Sequence, residues 1–148
     1  MNYRKAIVDD VSSVAILFDS YRVFYNKQTD IDSAKNFILD RIINNDSEIF
    51  ITEDLNKKVI GFVQLYPLFS STRMAKFWLL NDLFVNIESR GKGISIGLIN
   101  KAKQLVKETK ASGMSLETEK SNLIGNNLYS KTGFKLNSSC NFYEWENT

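Results

Sequence analysis

One short segment in the second half of the chain has the composition of an anion-binding loop. Two glycines there let the backbone turn tightly and approach a ligand closely. An amphipathic helix begins inside the segment, so its free N–H groups and its dipole favour negative charge. The pattern predicts a cradle for a phosphate or pyrophosphate, made of Arg90, Gly91, Lys92, Gly93, Ile94, Ser95 and Ile96.

Two familiar nucleotide-binding motifs fit this segment poorly. The chain lacks the G-x-x-x-x-G-K-[ST] pattern of an ATP-binding P-loop. Gly91, Gly93 and Gly97, with Glu117 further on, partly match a dinucleotide fingerprint. Residues 86–90 separate these glycines from the preceding strand, however, and about 50 residues follow them, too few to complete a doubly wound domain.

The amino-acid composition restricts the chemistry that the chain can perform. It contains no histidine and a single cysteine, Cys140. Ser-His and Cys-His catalysis and histidine-ligated metal sites are therefore excluded, and a general acid or base must be Asp, Glu, Tyr, Lys or Cys. A lone cysteine fits a reducing cytoplasm. The net charge of +2 does not indicate a nucleic-acid partner, and no apolar run is long enough to span a membrane.

The elements that must position this loop are those of a mixed α/β protein. The length of 148 residues predicts one domain. Apolar residues at helical spacing predict helices, and β-branched and aromatic runs bounded by turn residues predict strands. The predicted order is a strand at 3–8, helices at about 10–25 and 30–44, strands at 48–53, 59–69 and up to 85, a helix from 94 to about 110, a strand at 114–118, a helix at about 122–132 and a final strand at 140–145.

A second motif lies downstream, where residues 122–134 read N-L-I-G-N-N-L-Y-S-K-T-G-F. With the loop, it resembles the GNAT superfamily of N-acetyltransferases, whose patterns are [Q/R]-x-x-G-x-[G/A] and N-x-x-A-x-x-L-Y-x-K-x-G-F. Residues 59–62 and 80–85 resemble two strands of its diamine acetyltransferase-like members. The resemblance implies one acetyltransferase domain over residues 1–148, with a central mixed, mostly antiparallel sheet flanked by about four helices. The departures are Ser95 for Gly or Ala, Gly125 for Ala, and Asn81 for Glu.

The resemblance implies acetyl-CoA as a cosubstrate, without a metal, and transfer of the acetyl group by direct attack of an amine on the thioester. Residues 90–96 then hold the pyrophosphate. Backbone N–H groups of the fourth strand, at Leu83, Phe84 and Val85, hold the acetyl carbonyl and the pantetheine. The remaining cofactor-binding residues are expected in the downstream motif, at Asn122, Asn126, Tyr129 and Lys131.

Tyr129 is the candidate general acid, because a tyrosine holds its proton at neutral pH and can pass it to a leaving thiolate. Asn122 lies two helical turns before it and shares its side of the helix. Tyr129 also fits an ordinary tyrosine packed against a core. Asp82 is the candidate general base or binds a cationic substrate, and Glu117 and Glu119 are alternatives.

The resemblance places the acceptor, an amine of a small molecule or a peptide, between the first two helices and the third and fourth strands. Aromatic residues that fit a lining there also fit ordinary core or surface positions; they are Tyr21, Tyr25, Tyr66, Phe69 and Trp145. A homodimer is expected from related enzymes. The alternative function is a non-catalytic acyl-CoA-binding module of the same fold, which Asn81 favours and Tyr129 opposes.

Overall fold

Five strands form one sheet in the order β1-β2-β3-β4-β5, antiparallel throughout except for the parallel pair β4-β5. The computed structural model describes residues 1–148, which divide into two units, Met1–Glu117 and Thr118–Thr148. The sheet and four helices confirm the predicted fold class. The elements are β1 (Asn2–Lys5), α1 (Val11–Phe24), α2 (Ile31–Asn44), β2 (Glu48–Glu53), β3 (Val59–Ser70), β4 (Ala75–Val85), α3 (Ile94–Glu108), β5 (Met114–Ser115) and α4 (Leu123–Lys131).

The two faces of the sheet in the first unit carry different helices. Phe62 of β3 and Phe84 of β4 pack with α1 and α2 in one buried cluster. The preceding residue on β3, Gly61, faces the other side of the sheet, since a Cβ built there would lie 3.3 Å from Ile94 and Leu98 of α3. Side chains alternate between faces along a strand. Gln64 and Tyr66 therefore share the α1/α2 face with Phe62.

A β-bulge in β4 changes which face its side chains occupy. Leu65 pairs with Leu80, and the preceding residue Gln64 pairs with Asp82, so Asn81 is the extra residue. Without that insertion, Asp82 would face the same side as Leu80, towards α3. The bulge instead turns Asp82 to the α1/α2 face, because one extra residue reverses the alternation.

β4 and β5 pair over a short length and then separate. Their only register pairs are Trp78 with Met114 and Leu79 with Ser115. The predicted strand at 114–118 is thus shorter than expected. From the bulge onward, β4 has β3 on one edge and no strand on the other.

The second unit consists of α4 and an irregular C-terminal segment. α4 ends within one residue of its predicted end, at a glycine cap: Gly133 has φ 90°, and the Phe134 N–H donates to the Tyr129 carbonyl over 3.0 Å. The predicted strand at 140–145 is wrong, since those residues form no strand. Strand propensity reflects packing against a neighbouring strand, and this unit contains no other strand for the segment to join.

Gly97 of α3 lies against the ring of Tyr3 in β1, where a Cβ would overlap that ring. We expect Gly97→Ala to lower the free energy of unfolding by about 1 kcal/mol, because overpacking outweighs the helix-propensity gain of alanine. In a Tyr3→Ala background the same substitution should instead stabilise the protein by about 1 kcal/mol. Urea unfolding of the two single variants and the double variant measures this; additive effects would contradict the packing explanation.

Candidate active site

The glycine loop connects the end of β4 to the start of α3. A short 3-10 helix, Ile87–Ser89, follows β4, and α3 begins at Ile94. Gly91 and Gly93 have φ values of 78° and 74°, a conformation that side chains rarely adopt. Nothing lies within 4 Å of a Cβ built at either position. The backbone of the loop is therefore open to a ligand, and its shape depends on both glycines.

The first turn of α3 presents unpaired amides to this open surface. The first helical hydrogen bond runs from the Gly97 N–H to the Gly93 carbonyl over 3.2 Å, and no side chain caps the helix. The N–H groups of residues 94–96 thus have no acceptor within the helix. Arg90 and Lys92 are exposed beside them. Together the amides, the helix dipole and two cations fit a phosphate group.

Arg90 links the loop to the end of β4. Its Nε donates to the Val85 carbonyl over 3.0 Å, and its guanidinium carbon lies 5.3 Å from the centre of the Phe84 ring. These contacts fix the orientation of the guanidinium, whose remaining N–H groups stay available for an anion. Arg90 therefore has a structural role as well as a charge.

The open edge of β4 presents two of the three amides that the sequence indicated. The Asn86 N–H donates to the Ile60 carbonyl of β3 over 2.9 Å. Because amide direction alternates along an antiparallel strand, the N–H of Phe84 also faces β3. The N–H groups of Leu83 and Val85 face the opposite edge, where β5 has separated. The geometry thus favours Leu83 and Val85 over Phe84 as backbone donors to a ligand.

A pocket of about 470 Å³ lies on the α1/α2 face of the sheet, within the first unit. Three of the aromatic residues suggested for the acceptor line it, namely Tyr21, Tyr25 and Tyr66, and Asp82 and Asn81 also contribute. Phe69, by contrast, lies near the tip of the β3-β4 hairpin and is 83% exposed. Trp145, in the second unit, is 86% exposed. The lining residues that the sequence did not indicate are Phe18, Arg22, Lys27 and Phe37.

Asp82 belongs to a buried chain of hydrogen bonds. The Ser47 hydroxyl donates to Gln64 Oε1 over 2.9 Å, and Gln64 Nε2 donates to Asp82 Oδ2 over 2.6 Å. On the other side, Asn81 Nδ2 donates to Asp82 Oδ1 over 3.0 Å. The Tyr21 hydroxyl donates to the Asn81 carbonyl over 3.1 Å and so ties α1 to the bulge. The chain fixes the orientation of the Asp82 carboxyl group.

Burial raises the pKa of Asp82 above its ordinary value of 3.8, although hydrogen bonds from Gln64, Asn81 and Tyr21 act in the opposite direction. Only 2% of the Asp82 surface is exposed. Burial, with a contribution from the Asp82 charge, also raises the pKa of Tyr66 to about 12. A raised carboxyl pKa in a pocket is typical of a functional acid or base.

The sequence did not indicate two members of this hydrogen-bonded chain, Ser47 and Gln64. The pattern of residues around Gln64 nevertheless carried a signal. Gln64 is a single polar residue within the apolar run 59–65, in the middle of a strand. Such a residue is fully buried only when its amide has partners. Its partners, Ser47 and Asp82, are distant in sequence and become apparent only in the fold.

The two motif asparagines of the second unit shape the start of α4. Asn122 caps the helix, since its Oδ1 accepts from the Gly125 N–H over 3.1 Å, and its Nδ2 donates to Thr118 Oγ1 over 2.9 Å. Asn126 Nδ2 donates to the Asn122 carbonyl over 2.8 Å and to the Glu119 carbonyl over 3.1 Å. Both amides thus order the turn that precedes the helix.

Gly125, which stands where the family has alanine, accommodates this cap. A Cβ at Gly125 would overlap the side-chain amide of Asn122. The space above the glycine is therefore occupied by the protein itself. The helix cap therefore accounts for the small residue at this position.

The remaining predicted residues of the second unit lie on or beside α4. The ring of Tyr129 is half-buried and packs edge-on against Phe134, with 5.9 Å between the ring centres. Lys131 is exposed in the last turn of the helix. Of the alternative bases, Glu119 accepts from Ser121 Oγ over 3.4 Å and is exposed, as is Glu117 at the end of the first unit. Asp82 is thus the buried carboxylate among the three candidates.

Comparisons with known proteins find relatives that are named as acetyltransferases. An uncharacterized N-acetyltransferase of Bacillus subtilis, YhfO, is 39% identical over 135 residues, which cover 91% of this chain and 90% of that protein. A probable acetyltransferase of Haemophilus influenzae is 34% identical over 86% of both chains. A crystal structure of a probable acetyltransferase superposes with a TM-score of 0.94 at 30% identity, covering 100% of this chain and 99% of the other. None of the helices is long and apolar enough to cross a membrane.

Residues 14–134 match the acetyltransferase (GNAT) family, a span that contains both motifs and the bulged strand that precedes them. The relatives named as acetyltransferases cover nearly the whole chain, so the match is not confined to one motif. A family match over most of the chain, together with two relatives more than 30% identical to it, shows that the chain belongs to the GNAT family.

Proposed function

We propose that the protein transfers an acetyl group from acetyl-CoA to a primary amine bound in the pocket beside Asp82. One observation carries this proposal. Consecutive residues of β4 present a buried carboxyl group to the pocket, at Asp82, and a backbone N–H to the open strand edge, at Leu83. A base and an oxyanion donor are thereby held in fixed positions by a single bulged strand.

The loop and the strand edge fit acetyl-CoA. The open glycines and the amides of residues 94–96 suit the pyrophosphate, which Arg90 and Lys92 would hold electrostatically. A structure of a predicted acetyltransferase from Clostridium acetobutylicum, with a TM-score of 0.78 and 19% identity, contains acetyl-CoA. When bound, the cosubstrate supplies a thioester carbonyl, which the N–H groups of Leu83 and Val85 would polarise.

Asp82 is suited to removing the proton of the amine, directly or through a water molecule. A primary amine has a pKa near 10 and is mostly protonated at neutral pH. A carboxyl group with a raised pKa is a stronger base than an ordinary aspartate. The hydrogen bonds from Gln64 and Asn81 keep the carboxyl group in one orientation.

The alternative is a non-catalytic module that binds acyl-CoA. Its main support in the sequence is Asn81. In the structure, however, Asn81 donates a hydrogen bond to Asp82 and so helps to orient the candidate base. We therefore favour the enzyme. A screen of amino acids, polyamines, aminoglycosides and lysine peptides, with release of free thiol as the readout, tests the choice; tight acetyl-CoA binding without thiol release from any amine would support the alternative.

We expect Tyr129→Phe to lower kcat by about 10- to 100-fold and to leave acetyl-CoA affinity nearly unchanged, since it removes a proton donor and keeps the ring. The proposal of a general acid at this position is supported by the Asn-Tyr-Lys-Gly-Phe motif of the second unit. Thiol-release kinetics and calorimetric titration with acetyl-CoA measure the two quantities.

Tyr143→Phe is the matched control, because Tyr143 belongs to the same unit and is 85% exposed. It should leave both quantities unchanged. Equal turnover in Tyr129→Phe and the control would rule out the general-acid role.

A further inference from the structure

We propose that the acceptor is an amine that also carries an anionic group, and that Lys27, with Arg22, binds this group at the rim of the pocket. The inference rests on the proposed acetyl transfer in the same pocket and specifies its substrate class. It depends on the shape of the aromatic wall and on the distribution of charge among the lining residues.

One wall of the pocket is a continuous series of aromatic rings from α1 and α2. The ring of Phe18 stacks on that of Phe37, with 5.4 Å between centres, and on that of Tyr21 at 6.4 Å. The Tyr21 ring in turn contacts the Tyr25 ring edge-on at 5.0 Å. This wall suits an apolar or aromatic substrate body lying between the amine and the rim.

The charges of the lining residues are unequal. Asp82 is the only acidic group that lines the pocket, whereas Arg22 and Lys27 are both basic. Arg22 is held in place, since its Nη1 donates to Asp19 Oδ1 and to the Gln28 carbonyl, each over 3.1 Å. No carboxylate forms a salt bridge with Lys27. The Asp19 carboxylate balances the charge of Arg22 through a salt bridge, so Lys27 gives the rim its net positive charge.

This arrangement discriminates between classes of amine. An amine at Asp82 that carries a carboxylate or phosphate would place its negative charge among cations. A diamine or polyamine would place a second cation there, and like charges that meet at a binding surface are unfavourable. The lining thus selects against diamines and polyamines as acceptors.

Pairs of amines that differ in one carboxylate test the proposal. L-Phenylalanine is compared with 2-phenylethylamine, and ornithine with putrescine, both as acceptors in thiol release and as ligands in calorimetry with the CoA-loaded protein. The carboxylate-bearing member should be preferred by at least about fivefold in each pair. Lys27→Glu should remove or reverse this preference. Lys107→Glu, which makes the same charge change on α3 at an exposed position away from the pocket, should not.

The outcomes separate this proposal from the proposed function. A binding preference for the carboxylate-bearing amines without thiol release would support the anion site and count against acetyl transfer. Thiol release with equal use of both members, or a preference that survives Lys27→Glu, would overturn the anion site and leave acetyl transfer intact. Failure of every pair to bind at millimolar concentration would also overturn it.

Discussion

Asp82→Asn is expected to lower kcat by roughly 10²- to 10⁴-fold while leaving the folded protein at least as stable as the wild type. The substitution removes the only carboxylate in the pocket and changes the side-chain volume little. An amide cannot accept the proton of the amine. The loss should therefore appear in kcat for every acceptor amine rather than in acetyl-CoA affinity.

The fold tolerates this change because its hydrogen bonds can be rearranged. An asparagine at 82 can donate to Gln64 if the Gln64 amide turns over, and the Gln64 amide nitrogen then donates to the Ser47 hydroxyl. A hydroxyl group accepts as readily as it donates. No member of the buried chain needs to lose its partner.

The effect on stability has a definite pH dependence. Burial raises the pKa of Asp82 in the folded protein above its unfolded value. Between these two pKa values the folded protein retains a proton that the unfolded chain has released, so stability decreases as pH rises and the loss persists at higher pH. Asp82→Asn removes this penalty. The variant should gain stability relative to the wild type as pH rises from the ordinary carboxyl range through the raised pKa.

Urea unfolding at acidic and neutral pH, with kcat measured on the same preparations, checks both results. Asp40→Asn is the matched control, because it removes one carboxylate from an exposed position on α2. The control should keep its turnover. A turnover of Asp82→Asn within about threefold of the control would contradict a general-base role, since general bases contribute far more.

The sequence was most informative where chemistry and local structure coincide. The loop from Arg90 to Ser95 was recognisable because its glycines, its position after a strand and the apolar periodicity of α3 are all local features. The same holds for the end of α4, since a glycine such as Gly133 readily adopts the positive φ that ends a helix.

The features that could not be predicted from the sequence depend on contacts between distant segments. The insertion at Asn81 leaves no composition signal, yet it decides that Asp82 faces the pocket rather than α3. The partners Ser47 and Gln64 lie on different segments, so their roles follow only from the sheet register. The strand predicted at 140–145 is wrong for the converse reason: the segment has local strand propensity, but its unit contains no other strand with which it could pair.

Gly93→Val is expected to raise the dissociation constant of acetyl-CoA at least about 30-fold, because charge-assisted hydrogen bonds to the pyrophosphate contribute roughly 2 kcal/mol or more. Gly93 is the N-cap of α3 at φ 74°, where a β-branched residue is strained. Relief of that strain would move the loop backbone and with it the amides of residues 94–96. Calorimetric titration with acetyl-CoA and with CoA measures the change, which should be equal for both ligands because both carry the pyrophosphate.

Strain alone also destabilises a protein, so the control must carry the same strain elsewhere. Asn45 is a suitable position for this control, because it ends α2 at φ 50° on the surface of the same unit. Asn45→Val should lose a comparable free energy of unfolding, about 1–2 kcal/mol, and keep its acetyl-CoA affinity. If both variants lose affinity to the same extent, the effect is one of stability. A loss confined to Gly93→Val locates the binding of the pyrophosphate at the loop, because only there do the strained backbone and the free amides coincide.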